Sequence, residues 1–141
     1  MKIKFLLIDD DKISLLISKK YMVVSGLKEI VEDVIVFDKP QDALDYIYSE
    51  KSNKEPSFFW ILLDINMPEI NGWEFLRLVD SNELGNMLKV IVLTSSISED
   101  DKNRAASFNT VFGYISKPLD LEKCEEIKQI IFESGTRKDI V

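Results

Sequence analysis

Histidine is absent from the 141-residue sequence. It is the side chain that most often transfers protons near neutral pH, and it is the commonest metal ligand. Its absence excludes histidine-based acid–base catalysis, histidine-ligated metals and any phosphohistidine carried by this chain. Chemistry here must therefore use aspartate, glutamate, lysine, serine, threonine or tyrosine.

Cysteine and long apolar runs are also scarce. Cys124 is the only cysteine, which excludes an intramolecular disulfide and favours a reducing compartment. No segment has the length of a transmembrane helix. The apolar run at residues 5–8 follows two lysines but is too short for the core of a signal peptide. We therefore expect a cytoplasmic protein with no membrane contact.

The sequence has fewer basic than acidic residues. The 18 lysines and arginines face 25 aspartates and glutamates, for a formal net charge of −7. A nucleic-acid-binding surface would be basic, so no direct contact with nucleic acid is predicted. A hydrophobic fraction of 45% over this length suits one globular domain with a sizeable core.

The stretch that begins at residue 58 organises the rest of the chain. Residues 58–63 are wholly apolar and rich in aromatic and branched side chains, which predicts a short strand buried on both faces. Asp64 follows at once. Pro68 and Gly72 then break the chain, because proline fixes φ and glycine permits positive φ. The pattern predicts one carboxylate at the end of a rigid central strand.

Short apolar stretches alternate with helical periods along the chain. We expect strands at residues 3–8, 34–37, 58–63, 90–93 and 111–116. Helices are expected to begin near residues 12, 40, 73, 98 and 120. Five such alternations predict an α/β fold, a doubly wound five-stranded parallel sheet with helices on both faces and right-handed crossovers.

Two of these helices have apolar positions that share one face. In the first helix they are Ile13, Leu16, Ile17, Tyr21 and Val24. In the last helix the residues expected to point inward are Leu121, Cys124, Ile127, Ile130 and Ile131.

Polar side chains capable of chemistry follow four of the five predicted strands. They are Asp9 and Asp10, Asp64, Thr94 and Lys117. The carboxyl ends of parallel strands lie along one edge of the sheet, which is where ligands bind in doubly wound folds. This convergence is a stronger signal than any single motif.

The three consecutive aspartates Asp9, Asp10 and Asp11 permit two interpretations. One of them would suffice to cap the helix that follows. Three adjacent acids at a buried strand end repel one another, however, and a hard divalent cation removes that penalty. With Asp64 on the same edge, the sequence favours a metal site.

Each remaining candidate has an ordinary structural role as its alternative. Asp64 beside a metal can attack an activated phosphoryl group, or it could be a solvated strand-end acid. Lys117, held before Pro118, could point at the same edge or be a surface lysine. Thr94 could donate its hydroxyl to a phosphate or serve only as a β-branched strand residue. Tyr114 is most often a core aromatic.

Four segments together resemble the receiver domain of two-component response regulators. They are residues 7–11 (LIDDD), 63–72 (LDINMPEING), 92–95 (VLTS) and 113–119 (GYISKPL). The resemblance covers nearly the whole chain in the family's order and spacing, and the D-x-N-M-P-x-x-N/D-G block is specific to that family. It implies the flavodoxin-like (βα)5 receiver fold.

The resemblance also implies a division of the chain. We expect a receiver domain over residues 1–134 and a short flexible tail over residues 135–141. Too few residues follow the last predicted helix to form an effector domain, so a stand-alone receiver is expected.

Carried over residue by residue, the resemblance makes Asp64 the phosphoacceptor. It places Mg²⁺, or Mn²⁺, on Asp9, Asp10, a carboxylate oxygen of Asp64 and the backbone carbonyl of Asn66. These are oxygen ligands, which both ions prefer.

The resemblance gives the other candidates roles around the phosphoryl group. Lys117 would pair with one of its oxygens, and Thr94 would donate its hydroxyl to another. Tyr114 would be the aromatic whose rotamer follows Thr94. Pro118 would follow a cis peptide bond, as in the family.

Two features are particular to this chain. The small polar residues Asn66 and Ser96 occupy positions that govern water access to the acyl phosphate in the family, so we expect them to modulate the phosphoryl lifetime. Residues 109–112 (NTVF) replace the Gly-Ala pair that often precedes the fifth strand, which leaves the conformation of that loop open.

The implied function is a phosphorylation-dependent signalling switch, not an enzyme, that assists only its own phosphorylation and dephosphorylation. The implied partners are a sensor histidine kinase or a histidine phosphotransfer protein of a phosphorelay, and a downstream protein target. Two alternatives stay open. One is a Mg²⁺-dependent phosphatase with an aspartyl-phosphate intermediate, which usually needs an acid where Asn66 stands. The other is a phosphorylation-independent scaffold.

Overall fold

The computed structural model describes the backbone of residues 2–67 and 70–140 and the side chains as far as Ser134. The described residues form five strands: β1 (Ile3–Ile8), β2 (Asp33–Phe37), β3 (Phe58–Leu63), β4 (Leu88–Thr94) and β5 (Val111–Ser116). They also form five α-helices: α1 (Lys12–Val24), α2 (Pro40–Glu50), α3 (Gly72–Ser81), α4 (Glu99–Ala106) and α5 (Leu121–Ile140). Short 3₁₀ helices precede β2 and β4, at Leu27–Ile30 and Gly85–Met87.

All the strand pairs are parallel, in the order β2-β1-β3-β4-β5. This confirms the doubly wound five-stranded fold. Strand β3 lies at the centre between β1 and β4, and all six of its residues are buried. Its uninterrupted apolar run follows from that position, because a strand covered on both faces has no polar side to present.

Alternate side chains of β3 enter two separate cores. Phe59, Ile61 and Leu63 pack with α2, α3 and α4 on one face of the sheet. Phe58, Trp60 and Leu62 pack with α1 and α5 on the other. Each fully buried large apolar side chain contributes about 1.5–3 kcal/mol. The two cores together hold the carboxyl ends of the strands in register.

The apolar face predicted for α1 is wrong in part. Ile13, Leu16 and Val24 are 69%, 67% and 57% exposed, whereas Leu15 and Met22 are buried. Helix α1 carries apolar side chains on more than one side, so the 3.6-residue period does not select one face. Packing against the sheet makes that choice.

Helix α5 differs from its prediction at both ends. Leu121 is 49% exposed instead of pointing inward, while Cys124 and Ile127 are buried as expected. The helix bounds extend to Ile140, past residue 134, where the domain was predicted to end. The flexibility of residues 135–141 stays a prediction, since their side chains and the whole of Val141 lie outside the described residues. No helix among those described is both long enough and apolar enough to cross a membrane.

The turn before β5 takes a definite form where the sequence departs from the family. The Val111 amide donates to the carbonyl of Phe108 at 3.1 Å, and the Thr110 carbonyl accepts from the Val90 amide at 2.7 Å. Thr110 is buried, and within the described part of the chain its hydroxyl oxygen has no hydrogen-bond partner.

Candidate functional site

Asp9, Asp64 and Lys117 each lie one residue beyond a strand, and their backbone amides still bond to the neighbouring strand. Three amide-to-carbonyl bonds hold them: Asp9 to Phe37 at 3.1 Å, Asp64 to Ile8 at 3.0 Å and Lys117 to Thr94 at 2.9 Å. Each backbone position is therefore set by the neighbouring strand. The side chains converge on the carboxyl edge of the sheet, as the sequence predicts.

Asp9, Asp10 and Asp64 form an acidic cluster at this edge. One carboxylate oxygen from each lies within 4.8 Å of the others. Asp9 and Asp64 are each only 5% exposed, while Asp10 is exposed to solvent. The arrangement offers oxygen ligands alone, and one open side, to a hard divalent cation.

Asp11 serves a different purpose from its two neighbours. Its carboxylate caps α1 by accepting from the amides of Ile13 and Ser14, at 3.0 and 3.3 Å. Its own amide donates to Asp9 Oδ1 at 2.9 Å, which orients the Asp9 carboxylate. The helix-capping and acidic-cluster roles proposed for this triplet are thus divided among its members.

Lys117 contacts two members of the acidic cluster. Its Nζ lies 2.6 Å from Asp9 Oδ2 and 3.3 Å from Asp64 Oδ2. Burial alone would lower the pKa of Lys117, but the hydrogen bond to Asp9 and the charges of both carboxylates outweigh burial and raise it. The side chain therefore stays an ammonium. The Lys117–Pro118 peptide bond is cis, as the family resemblance implies.

Asp64 has a raised pKa, chiefly because burial disfavours its charged form. The charge of Asp9 raises that pKa further. The Asn66 amide, which donates to Asp64 Oδ1 at 3.1 Å, and Lys117 lower it in part. The net effect is a carboxylate whose ionised form would gain from an additional positive charge.

Thr94 presents its hydroxyl between two loops. It is fully buried, and its Oγ1 accepts from Asn66 Nδ2 at 3.4 Å and from the Ser96 amide at 3.3 Å. A hydroxyl has two acceptor positions and one donor, so these bonds leave its proton for a further partner. Such a proton can be donated to an anionic oxygen held beside Asp64.

The side chain of Tyr114, on β5, contacts Ser96 in the loop between β4 and α4. The Tyr114 hydroxyl donates to the Ser96 carbonyl at 3.1 Å, and Ser96 Oγ donates to Asp101 Oδ2 at 2.6 Å. Burial raises the pKa of Tyr114 despite the hydrogen bond to Ser96, so its hydroxyl keeps the proton that it donates. Ser98 caps α4 by accepting from the Asp101 amide at 3.3 Å.

Gly72 has a role that the sequence did not predict. Gly26, not Gly72, is the glycine with positive φ among the described residues. A Cβ on Gly72 would lie 2.6 Å from the Ile65 Cα and 2.8 Å from the Asp64 carbonyl oxygen. Glycine is therefore required because α3 begins directly against the backbone of the Asp64 loop.

Asn71 was missed as a capping residue. Its Oδ1 accepts from the Glu74 amide at 2.9 Å and so begins α3. Asparagine followed three residues later by glutamate is the pattern that could have identified it. Together with Gly72, this cap holds the loop after Asp64 against the sheet.

Trp73 links this loop to α4, a contact that sequence reasoning also missed. Its ring stacks on Phe108, with centroids 6.4 Å apart and planes 17° apart. The Arg104 Cζ lies 4.5 Å from the Trp73 ring centroid. These partners are distant in sequence, so no local pattern signals the contact.

The arrangement as a whole combines an acidic cluster with a hydroxyl and an ammonium at the carboxyl edge of a parallel sheet. These groups define an α/β domain suited to binding a cation and a phosphoryl group together. The sequence profile of the response regulator receiver domain matches residues 5–129. The chain therefore belongs to the response regulator receiver family of two-component signalling.

Individual relatives agree with this assignment. The probable methanogenesis regulatory protein FilR2 of Methanothrix harundinacea is 37% identical over 91 residues, which are 62% of this chain and 58% of that protein. The chemotaxis protein CheV2 of Helicobacter pylori is 25% identical over 128 residues, 88% of this chain and 40% of that protein. The chain thus spans about half the length of these two curated relatives.

Solved structures show the same fold. A two-component response regulator from Cytophaga hutchinsonii is 28% identical with a TM-score of 0.77, covering 93% of this chain and 98% of that one. A two-component response regulator from Legionella pneumophila is 26% identical with a TM-score of 0.74, covering 94% and 99%. Receiver domains in general are signalling modules, and they typically bind Mg²⁺ at acidic residues like those clustered here.

Proposed function

We propose that this chain is a phosphorylation switch in which Asp64 accepts a phosphoryl group from a phosphohistidine. The donor would be a sensor histidine kinase or a histidine phosphotransfer protein. The observation that carries the proposal is the contact of one ammonium, Lys117, with both Asp9 and Asp64 inside the acidic cluster. Three carboxylates and one ammonium therefore share one small site, which supports Asp64 as the nucleophile and its neighbours as cation ligands.

The transfer is a displacement at phosphorus. An Asp64 carboxylate oxygen forms the new bond to phosphorus, the bond from phosphorus to the donor imidazole breaks, and the imidazole leaves with the proton on its other nitrogen. Lys117, whose Nζ already lies 3.3 Å from Asp64 Oδ2, offsets negative charge on the phosphoryl oxygens. The chain's own residues orient and stabilise the group that the partner supplies.

The acidic cluster fits Mg²⁺ or Mn²⁺. Asp9, Asp10 and Asp64 would hold the ion through carboxylate oxygens, with the Asn66 carbonyl as the further ligand that the family resemblance implies. When bound, the ion would neutralise charge between these carboxylates and the phosphoryl group.

The phosphoryl group would act on the switch through new hydrogen bonds. It adds a charge of about −1.5 to −2 to the site. Thr94 and Lys117 can each contribute a charge-assisted bond of about 1.5–3 kcal/mol. Moving a two-state equilibrium from mostly off to mostly on requires about 5.5 kcal/mol of differential stabilisation. Two or three such bonds are of the required size.

The output would be a repacked surface of α4, β5 and α5 that a downstream protein recognises. Two contacts connect this surface with the site. Tyr114 of β5 bonds to the loop that follows Thr94, and Trp73, next to Gly72, packs against α4. A shift of Thr94 towards a phosphoryl group would therefore alter the packing of β5 and α4.

The exposed aliphatic face of α1 is our candidate contact for the phosphodonor protein. Ile13 and Leu16 lie on the first turns of α1, immediately after the acidic residues, and both are largely exposed. A Leu16→Asp variant should accept phosphoryl groups more slowly from a histidine kinase that phosphorylates the wild type. Its phosphorylation by acetyl phosphate should be unchanged. Tyr48→Asp, at an exposed position on α2, is the matched control.

The direct test is the intact mass after incubation with acetyl phosphate or phosphoramidate and Mg²⁺. Wild type should gain a single base-labile group of about 80 Da, and Asp64→Asn should gain none, because the modified group is one carboxylate. Equal modification of both proteins would overturn the assignment of Asp64.

Mg²⁺ linkage tests the cation site separately. A ligand that binds only the folded state raises the free energy of unfolding, by about 2.7 kcal/mol at one hundred times its Kd. Mg²⁺ should therefore raise the melting temperature of wild type, and Asp10→Ala should remove most of that increase. Asp10 is exposed, so this variant should fold. The absence of both Mg²⁺ stabilisation and phosphorylation would favour the scaffold alternative.

A further inference from the structure

The amide, carbonyl and hydroxyl groups of Ser96 all form hydrogen bonds. Its amide donates to Thr94 Oγ1, its carbonyl accepts from Tyr114, and its Oγ accepts from the Ser98 amide at 3.4 Å. The remaining group, the hydroxyl proton, is donated to Asp101 Oδ2 over 2.6 Å. This last bond is the shortest of the four, and it runs to the first turn of α4.

We propose that Asp101 is a positioning residue that lengthens the lifetime of the phosphoryl group on Asp64 by holding the Ser96 hydroxyl. The inference rests on the proposed function and extends it to a residue outside the acidic cluster. Asp101 lies at the start of α4, and the whole effect is transmitted through Ser96.

Hydrolysis of the acyl phosphate is the step that this bond would control. A water oxygen forms a bond to phosphorus, the bond from phosphorus to the Asp64 carboxylate oxygen breaks, and both water hydrogens stay on the released phosphate. The water must approach from the side opposite Asp64. Groups that orient it, or that loosen the surrounding loop, will accelerate this step.

Ser96 borders the hydroxyl that would bind the phosphoryl group. Its amide bonds to Thr94 Oγ1, and Asn66 Nδ2 bonds to the same oxygen from the Asp64 loop. While Asp101 accepts the Ser96 proton, the hydroxyl is directed to α4 and cannot donate to a water near phosphorus. Removal of the Asp101 carboxylate frees the hydroxyl and releases the loop from α4. Both changes favour hydrolysis.

The first measurement is the half-life of phosphorylated Asp64 in wild type and five variants. Asp101→Ala should shorten the half-life about threefold to tenfold, within the range of couplings between residues in direct contact. Asp101→Asn keeps an acceptor for the Ser96 proton and should stay within about twofold of wild type. Asp100→Ala removes the same charge from the same helical turn, and its half-life should match wild type. In a Ser96→Ala background, the Asp101→Ala change should have no further effect.

Equal half-lives for Asp101→Ala and Asp100→Ala would overturn the proposal. So would an Asp101→Ala effect of full size in the Ser96→Ala background, because the carboxylate would then act without the Ser96 hydroxyl.

Amide hydrogen exchange in the unphosphorylated protein provides a second, independent readout. Exchange at Ser96 and Ser98 should be faster in Asp101→Ala than in wild type or Asp100→Ala, since both amides belong to the loop that Asp101 holds. Unchanged exchange would overturn the link between Asp101 and the loop. A wild-type protein that takes up no phosphoryl group would overturn the proposed function instead, and the exchange data would still decide whether Asp101 holds Ser96.

Discussion

Lys117 lies closer to Asp9 than to the phosphoacceptor candidate: its Nζ is 2.6 Å from Asp9 Oδ2 and 3.3 Å from Asp64 Oδ2. The ammonium therefore offsets repulsion between two buried carboxylates. In the proposed function it would also face the phosphoryl group on Asp64.

Lys117→Met should destabilise the metal-free protein. Loss of one partner from a buried ion pair leaves uncompensated charge, and we expect a decrease of about 1–3 kcal/mol in the free energy of unfolding for this mostly buried side chain. Urea denaturation measures this change in the free energy of unfolding, once with EDTA present and once with Mg²⁺ present. Mg²⁺ should restore most of the loss, since the cation would supply the missing positive charge. The control, Lys102→Met, removes an exposed lysine and should change little. Equal losses in both variants would contradict this reading.

Gly72→Ala should distort the Asp64 loop. The added Cβ would meet backbone atoms of Ile65 and Asp64 at 2.6 and 2.8 Å, and these cannot move without displacing the carboxylate. We expect a loss of about 1–3 kcal/mol in stability, together with slower phosphorylation. Gly85→Ala is the matched control, because its Cβ would meet only a Thr110 methyl group at 3.5 Å. Thermal denaturation and phosphorylation rates of the two variants test this prediction. If Gly72→Ala is as stable and as readily phosphorylated as Gly85→Ala, the close contact of Gly72 with the Asp64 loop does not constrain the loop.

Thr110→Val should stabilise the protein. The Thr110 hydroxyl oxygen is buried without a hydrogen-bond partner in the described part of the chain, and such a group costs about 1–3 kcal/mol. Valine has nearly the same shape, so we expect a gain of about 1 kcal/mol in the free energy of unfolding. Thr94→Val is the contrasting variant, since the Thr94 hydroxyl accepts two bonds and its loss should destabilise. Changes of the same sign in the two variants would refute the prediction.

Lys4, Tyr46 and Glu50 should make stability depend on pH. Lys4 Nζ lies 2.8 Å from the Tyr46 hydroxyl and 3.1 Å from Glu50 Oε1. The hydrogen bond from Lys4 lowers the pKa of Glu50 below its ordinary value of 4.5 although burial opposes it. The hydrogen bond to Tyr46 is the chief cause of the raised pKa of Lys4. Glu50 therefore stabilises the fold above pH 4.5 and loses this effect as the pH falls through its folded pKa. Lys4 stabilises below pH 10.5 and loses the effect as the pH rises through its own folded pKa.

The measurement is urea denaturation of wild type and Glu50→Gln over a series of pH values. At neutral pH the variant should be less stable by on the order of 1 kcal/mol, and the difference should shrink as the pH falls below 4.5. Glu122→Gln, at an exposed position on α5, is the control and should change the free energy of unfolding little at neutral pH. If the difference in the free energy of unfolding between wild type and Glu50→Gln stays constant with pH, the ion pair between Lys4 and Glu50 does not stabilise the fold as proposed.

Local patterns sufficed for the alternation of strands and helices and for the chemical groups at the strand ends. The apolar run of β3 and the acids, threonine and lysine that follow the strands are consecutive in sequence, so periodicity and residue type reveal them directly. Asp9, Asp64 and Lys117 were identified in this way, and the structure brings their side chains together. The functional role of each stays a proposal.

Other features depend on contacts between residues that are far apart in the chain. The buried face of α1, the close approach of Gly72 to Asp64 and the packing of Trp73 on α4 were each missed or misjudged from sequence. Ser96 was noted for its position after Thr94, but its bond to Asp101 was not foreseen. A period of 3.6 or 2 residues indicates which side of a helix or strand is apolar. It does not indicate which groups make contact across a loop or between helices. Those contacts form only when the order of the strands in the sheet brings the elements together.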